Sequence, residues 1–320
     1  MSRLLEVNHL RKYYPVYSNV IKREIGNLKA VDDVSFYIDK GETLGLVGES
    51  GCGKTTVGKS IIRLIEPTGG DILFEGKSII GIPAKEMRAY RKDMQIVFQD
   101  PYGSLNPRMN IADIIAEPVL KHKISKGREC TNLELELLDK VGISRKEVTK
   151  YPHEFSGGQR QRICIARVLG LNPKLIVCDE PVSALDVSVQ AQILNLLSDL
   201  QKEYNLSYLF IAHGMPAVRH VSDRVGVMYM GKIVEMGDKE TIFDSPLHPY
   251  TKALIESVPV ADPDIEKDYS PMKGEVPDLM DPPNNCRFCT RCPFADIQCR
   301  NMIPELKEIS SGHFVACHKI

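Results

Sequence analysis

The chain has 320 residues, of which 43% are hydrophobic and 26% charged, a composition that suits a globular protein of one large or two modest domains. Its 41 basic and 42 acidic residues leave a formal net charge of −1, which excludes the basic excess of an extended nucleic-acid-binding face. Arg3, Glu6, Arg11 and Lys12 interrupt the start, and no apolar stretch approaches the roughly 20 residues that span a bilayer, so the chain is expected to fold in the cytoplasm and to reach a membrane only through a partner.

The first predicted element is a strand, Thr43–Val47, apolar throughout and too short for a helix. It runs into Gly48-Glu49-Ser50-Gly51-Cys52-Gly53-Lys54-Thr55-Thr56, a phosphate-binding loop that opens a helix predicted from about Lys54 to Leu64. Glycines let backbone N–H groups face phosphates, the helix start adds a favourable dipole, Lys54 supplies charge, and the Thr55 hydroxyl ligates magnesium. A second strand, Met94–Phe98, delivers Gln99, a magnesium and water contact. Further on, Leu133–Val141 places apolar residues on one helical face.

Phe155-Ser156-Gly157-Gly158-Gln159 is a second anion-binding string, with glycine N–H groups at the start of a helix predicted from about Gln161 to Val168. One nucleotide does not reach both strings from the same face of one fold, so the chain is expected to work as a pair. A third strand, Leu175–Cys178, ends in Asp179-Glu180. An acid there holds magnesium, and Glu180 is placed to deprotonate a water attacking the γ-phosphate. Tyr208–Ala212 is a fourth strand and delivers His213, a γ-phosphate contact. Four buried strands carrying such groups predict an α/β fold whose parallel sheet presents its ligands at the strands' carboxyl ends.

From about Pro246 the composition changes. Pro246, Pro249, Pro259, Pro263, Pro271, Pro277, Pro282 and Pro283 leave room for one helix near Tyr250–Ser257. Cys286, Cys289, Cys292, Cys299 and Cys317 crowd the last 35 residues, a pattern that reads as metal ligation more than as disulfides in a reducing compartment. The Cys286-x-x-Cys289-x-x-Cys292-Pro293 run suits a [4Fe–4S] cluster, a structural zinc, or free thiols.

Taken together, these motifs resemble the ATP-binding subunits of ABC transporters. The resemblance implies an ABC-type phosphate-loop ATPase core over residues 1–245, with a helical subdomain at about 100–170, and a small cysteine-rich C-terminal extension over 246–320. Gln99 matches the Q-loop, Phe155–Gln159 the signature, Ser183-Ala184-Leu185-Asp186 the D-loop and His213 the H-loop. Tyr14 matches the aromatic that stacks on adenine, with Tyr13 a competitor. By the same resemblance Ser156, Gly157, Gly158, Gln159 and Asp186 act in trans on ATP held by the opposing subunit. Gly214 departs from the family pattern, which has an acid after the histidine.

Gln99–Pro107 and Leu247–Leu254 narrow the resemblance to oligopeptide and dipeptide importers, as does the tail. That implies ATP and Mg2+ as cofactors and Cys286, Cys292, Cys299 and Cys317 as tail ligands, with Cys289 an addition. The implied partners are a second, similar ATPase subunit, two membrane permease subunits and an extracytoplasmic substrate-binding protein. The implied place is the cytoplasmic face of the membrane, and the helical subdomain near Gln99 would receive a short helix of the membrane subunit. Import of nickel or another small solute, and a non-transport ABC ATPase, are the alternatives. The chain holds one cassette, with no long coiled coil between its two phosphate strings, against the second alternative.

Overall fold

The computed structural model describes residues 2–18, 23–258 and 279–320. Pro259, Pro263, Pro271 and Pro277 therefore lie outside the described residues. The described residues fall into two compact units, one drawing on residues 2, 39–42 and 81–211, the other on 3–18, 23–38, 43–80, 212–258 and 279–320.

The second unit opens with two long strands, β1 (Arg3–Tyr17) and β2 (Glu24–Asp39), neither of them anticipated from the sequence. Strand β3 (Thr43–Val47) is buried at every position and leads through the glycine loop into helix α1 (Lys54–Ile61). Beyond Ile61 the helix gives way at Arg63, whose φ of 50° is left-handed, so it ends short of the expected Leu64. Strands β4 (Gly69–Phe74) and β5 (Lys77–Ser78) complete an antiparallel sheet in the order β2-β1-β4-β5.

The first unit follows with α2 (Ala84–Asp93), β6 (Met94–Val97), α3 (Pro101–Ser104), α4 (Ile111–Lys121), α5 (Arg128–Lys140), α6 (Gly157–Leu169), β7 (Leu175–Asp179), α7 (Val187–Tyr204) and β8 (Ser207–Ala212). Strands β6, β7 and β8 are parallel neighbours, Val97 facing Cys178 and Cys178 facing Phe210. Strands β7 and β8 are buried throughout, which is why they read as continuous apolar runs rather than alternating ones. Helix α6 begins at Gly157, four residues before the expected Gln161, because Ser156 and Gln159 form a reciprocal capping box.

The remaining elements return to the second unit: α8 (Met215–Val221), β9 (Arg224–Tyr229), β10 (Lys232–Asp238), α9 (Lys239–Asp244), α10 (Pro249–Glu256), α11 (Ile297–Asn301), β11 (Lys307–Ser310) and β12 (His313–Val315). Strand β9 pairs parallel with β3, and β10, β12 and β11 extend the sheet antiparallel. The four strands read from the sequence, β3, β6, β7 and β8, make parallel pairings, and the strands after β9 add antiparallel ones that the sequence did not announce. The tail is tied in by Glu235 on β10, fully buried, whose carboxylate accepts from the Leu247 N–H (2.7 Å), the His248 N–H (3.0 Å) and the His313 ring (2.8 Å). Among the described residues no helix is long and apolar enough to cross a membrane.

Candidate functional site

In the second unit, β3 ends where the loop Gly48–Thr55 begins. At Gly53 φ is 107°, and a Cβ there would stand 2.0 Å from the Ala30 carbonyl oxygen, so only glycine fits. The loop is closed by its own lysine: the buried Lys54 ammonium donates to the carbonyls of Gly48 (2.7 Å) and Glu49 (2.9 Å). His213, expected from the fourth strand, lies in this unit too, with its Nδ1 3.4 Å from Lys54 Nζ. The cradle, the caged ammonium and the helix start fit a nucleotide's phosphates. Burial raises the Cys52 thiol and keeps it protonated.

The two adjacent tyrosines are separated by their partners. Tyr13 donates its hydroxyl to Asp32, and burial followed by that carboxylate pushes its pKa up to about 12. Tyr14 presents its ring instead, with the Lys12 ammonium 4.8 Å from the centroid. Tyr13 is thus committed to the fold, and Tyr14 is the ring suited to a base.

In the first unit, β7 delivers Asp179 and Glu180, only 3% and 5% exposed. Gln99, two residues beyond β6, donates its Nε2 to Glu180 Oε2 at 2.7 Å. The Glu180 backbone is left-handed, with φ 50°, while its N–H donates to the Ile211 carbonyl at 3.0 Å and its own carbonyl accepts from Ser183 Oγ at 3.1 Å. A non-glycine residue held in that region costs of order 1 kcal/mol, which these two hydrogen bonds help to offset. Three of the expected residues, Gln99, Asp179 and Glu180, are therefore brought together.

The second anion string occupies the start of α6 in the same unit. The Gln159 N–H donates to Ser156 Oγ (3.3 Å), and the Ser156 N–H donates to Gln159 Oε1 (3.0 Å). Position in the helix leaves the Gly157 and Gly158 N–H groups without intrahelical acceptors. A Cβ at Gly158 would lie 2.4 Å from Val189 Cγ1 on α7, so close helix packing requires glycine there. Asp186 precedes α7 but its side chain does not cap it, and the neighbouring Val187 is 81% exposed. Gly214, the departure from the expected acid, caps α8 with an unstrained φ of −87°. A Cβ at that position would meet nothing nearer than Pro216 Cδ, 3.8 Å away, so a side chain there has room.

The tail thiols are neighbours. Burial first, then Cys299, Cys289 and Cys317, pushes Cys286 up to about 12, and burial and its neighbours likewise raise Cys292. Among the described residues, however, no group of three or more His, Cys, Asp or Glu side chains stands in metal-holding geometry. The four-thiolate site expected of Cys286, Cys292, Cys299 and Cys317 is accordingly not assembled. What the sequence did not disclose is the reach of this segment: Arg291, between Cys289 and Cys292, forms a two-pronged ion pair with Glu49 of the phosphate loop, at 2.7 and 3.0 Å.

Residues 31–183 match the family model described as ABC transporter, and residues 234–299 match the oligopeptide/dipeptide transporter C-terminal region. The oligopeptide transport ATP-binding protein AppF of Bacillus subtilis is 53% identical over 98% of this chain and 97% of its own length. OppF of the same organism, also an oligopeptide transport ATP-binding protein, is 48% identical over 98% of this chain and 96% of its own. Among solved structures, cbiO1 of Clostridium perfringens, part of the transporter complex cbiONQ, aligns with a TM-score of 0.65 at 26% identity, covering 77% of this chain and 92% of that one. The ATP-binding cassette MJ0796, in a dimeric post-hydrolysis state bound to ADP and Pi, gives the same TM-score and identity over 73% of this chain and 98% of that one.

Proposed function

The chain belongs to the ATP-binding proteins of ABC transporters, in their oligopeptide branch, and on that premise we propose that it is the ATP-hydrolysing motor of an oligopeptide or dipeptide importer. The observation that carries the reading is the near full-length identity to AppF, 53% over 98% of the chain. Bound MgATP supplies the phosphoryl group that passes to water, its magnesium neutralising charge on the phosphate oxygens.

The chain's own residues divide the work. The loop made of Gly48, Glu49, Ser50, Gly51, Cys52, Gly53, Lys54, Thr55 and Thr56 as a whole cradles the phosphates, Lys54 with a charge already caged in it. Tyr14 stacks on the base. Thr55, Asp179 and Gln99 would each offer an oxygen ligand to magnesium. Glu180, oriented by the amide of Gln99, takes the proton of the attacking water, and His213 contacts the γ-phosphate from beside Lys54. Ser156, Gly157, Gly158, Gln159 and Asp186 complete the site of a second ATPase subunit, similar and not identical, as the N–H groups at the start of α6 and the exposed Val187 suit. The dimeric state of the MJ0796 cassette is in keeping with such pairing.

Two membrane permeases and an extracytoplasmic binding protein then make up the importer, and the chain sits peripherally at the cytoplasmic face. For the membrane subunit's helix we assign a groove of about 780 Å³ within the first unit, walled by α2, α4 and α6. Lys85, Arg88, Arg91, Lys121, His122 and Arg167 line it against one acid, Glu117. Burial and then Arg88, Lys92 and Lys121 lower the His122 pKa, so the groove suits an acidic or neutral helix. Residues 1–245 form the ATPase and 246–320 the importer-specific extension in this reading.

For the tail we infer metal ligation by Cys286, Cys292, Cys299 and Cys317, with Cys289 a substitute, as [4Fe–4S] or zinc. Its support is the mutual proximity of the thiols. Protein purified anaerobically is expected to contain iron with absorbance near 400 nm, or zinc in equal amount to the chain. A colourless, metal-free chain overturns the ligation.

The transport reading is tested in vesicles carrying the whole importer. Uptake of a labelled oligopeptide is expected with the wild-type chain and to fall to background with Lys54→Ala. Uptake that persists with Lys54→Ala refutes it.

A further inference from the structure

Glu49 is the one acid in the loop Gly48–Thr55, and a carboxylate there repels the polyanion that the loop is built to hold. Arg291 answers that charge from the tail. Its two terminal nitrogens donate to the two carboxylate oxygens of Glu49, at 2.7 and 3.0 Å, the forked geometry that makes an arginine–carboxylate pair strong and directional. The Arg291 side chain is 6% exposed and that of Glu49 22%, so solvent screens the pair little.

A rigid platform holds the guanidinium in place. Phe288 packs against Tyr229 and Tyr250, with ring centroids 5.3 and 5.5 Å apart, and all three are buried. The Arg291 N–H donates to the Phe288 carbonyl at 3.0 Å, fixing the turn that carries the side chain. The same platform reaches the loop a second time, because the Glu49 N–H donates to the Tyr250 hydroxyl at 2.8 Å.

We propose that Arg291 is a positioning residue of the nucleotide site: it neutralises Glu49 and, with Tyr250, fixes the phosphate loop in its ATP-binding form. The proposal rests on the reading of Gly48–Thr55 as the ATP site and deepens it. It gives the cysteine-bearing tail a direct part in nucleotide affinity, whether or not the thiols hold a metal.

The test is the dissociation constant of mant-ATP with Mg2+, measured on the full-length chain. Arg291→Gln exposes the phosphates to an unpaired Glu49 and is expected to weaken binding about tenfold. The double variant Arg291→Gln/Glu49→Gln removes the repulsion along with its remedy and is expected to recover most of that loss. A purely structural role for Arg291 predicts no such recovery. Arg291→Lys keeps the charge without the fork and is expected to fall between. Glu49→Gln alone, which leaves a cation beside the phosphates, is expected to bind about threefold more tightly, and this decides the matter if Arg291→Gln does not fold. The proposal is overturned if Arg291→Gln binds as wild type, if the double variant is as weak as the single one, or if Glu49→Gln does not tighten binding. A wild-type chain that fails to bind mant-ATP overturns instead the reading of the loop itself.

Discussion

Glu180→Gln is expected to slow ATP hydrolysis by about 10²- to 10⁴-fold while leaving ATP binding intact, the range that a positioned general base contributes. The substitution keeps size, shape and an acceptor for the Gln99 amide, which donates to Glu180 at 2.7 Å. It also keeps the left-handed backbone, which is set by the Glu180 N–H to Ile211 and by Ser183 Oγ on the Glu180 carbonyl. What it removes is the basic oxygen. The readout is phosphate release alongside nucleotide retained after rapid gel filtration: slow release with high retention is the expected pair. Hydrolysis at the wild-type rate shows that the base lies elsewhere.

The second large effect is on stability in acid. Burial pushes the His248 pKa down to about 4, from about 6.5 for an exposed histidine. The geometry agrees, since Nδ1 accepts from the Tyr250 N–H at 3.1 Å and so carries no proton. Above about pH 6.5 the ring is neutral whether the chain is folded or not, and stability is full. As pH falls from there towards 4 the unfolded chain takes up a proton that the folded chain refuses, so stability declines. The loss is on the order of 3 kcal/mol from this group. Glu235, bonded to the His248 backbone N–H and to His313, is the charged neighbour at this position.

His248→Asn retains a capping acceptor for α10 and does not titrate, so its urea midpoint is expected to change less between pH 7 and pH 5 than that of the wild type. An unchanged pH slope in that variant contradicts the assignment. The consequence reaches the nucleotide site, because α10 carries the Tyr250 hydroxyl that accepts from Glu49.

The core strands were legible because each is a local signal. Strands β3, β6, β7 and β8 read as short apolar runs since burial on both faces leaves no room for alternation. The start of α6 at Gly157 is also written in the sequence, as the Ser156–Gln159 capping pair, a signal that the glycines beside it obscure. Long-range pairing was not legible. Strands β1 and β2 alternate too irregularly to stand out, and β12 joins β10 in a sheet from about 80 positions away. Nothing local to Arg291 names a partner 242 positions earlier. The spacing of the cysteines suggested ligation, but spacing does not fix where side chains converge.

If the two phosphate strings are halves of sites completed by another chain, nucleotide must control association. That is read from the mass in solution of the Glu180→Gln chain by light scattering, alone and mixed in equal amount with the second ATPase subunit, in MgATP and in ADP. Association is expected in MgATP, with itself or with that subunit, and separation in ADP. A mass of 35.9 kDa for the chain alone, and no mass above that of the single chains in the mixture, in both nucleotides would show that the strings do not work across a pair.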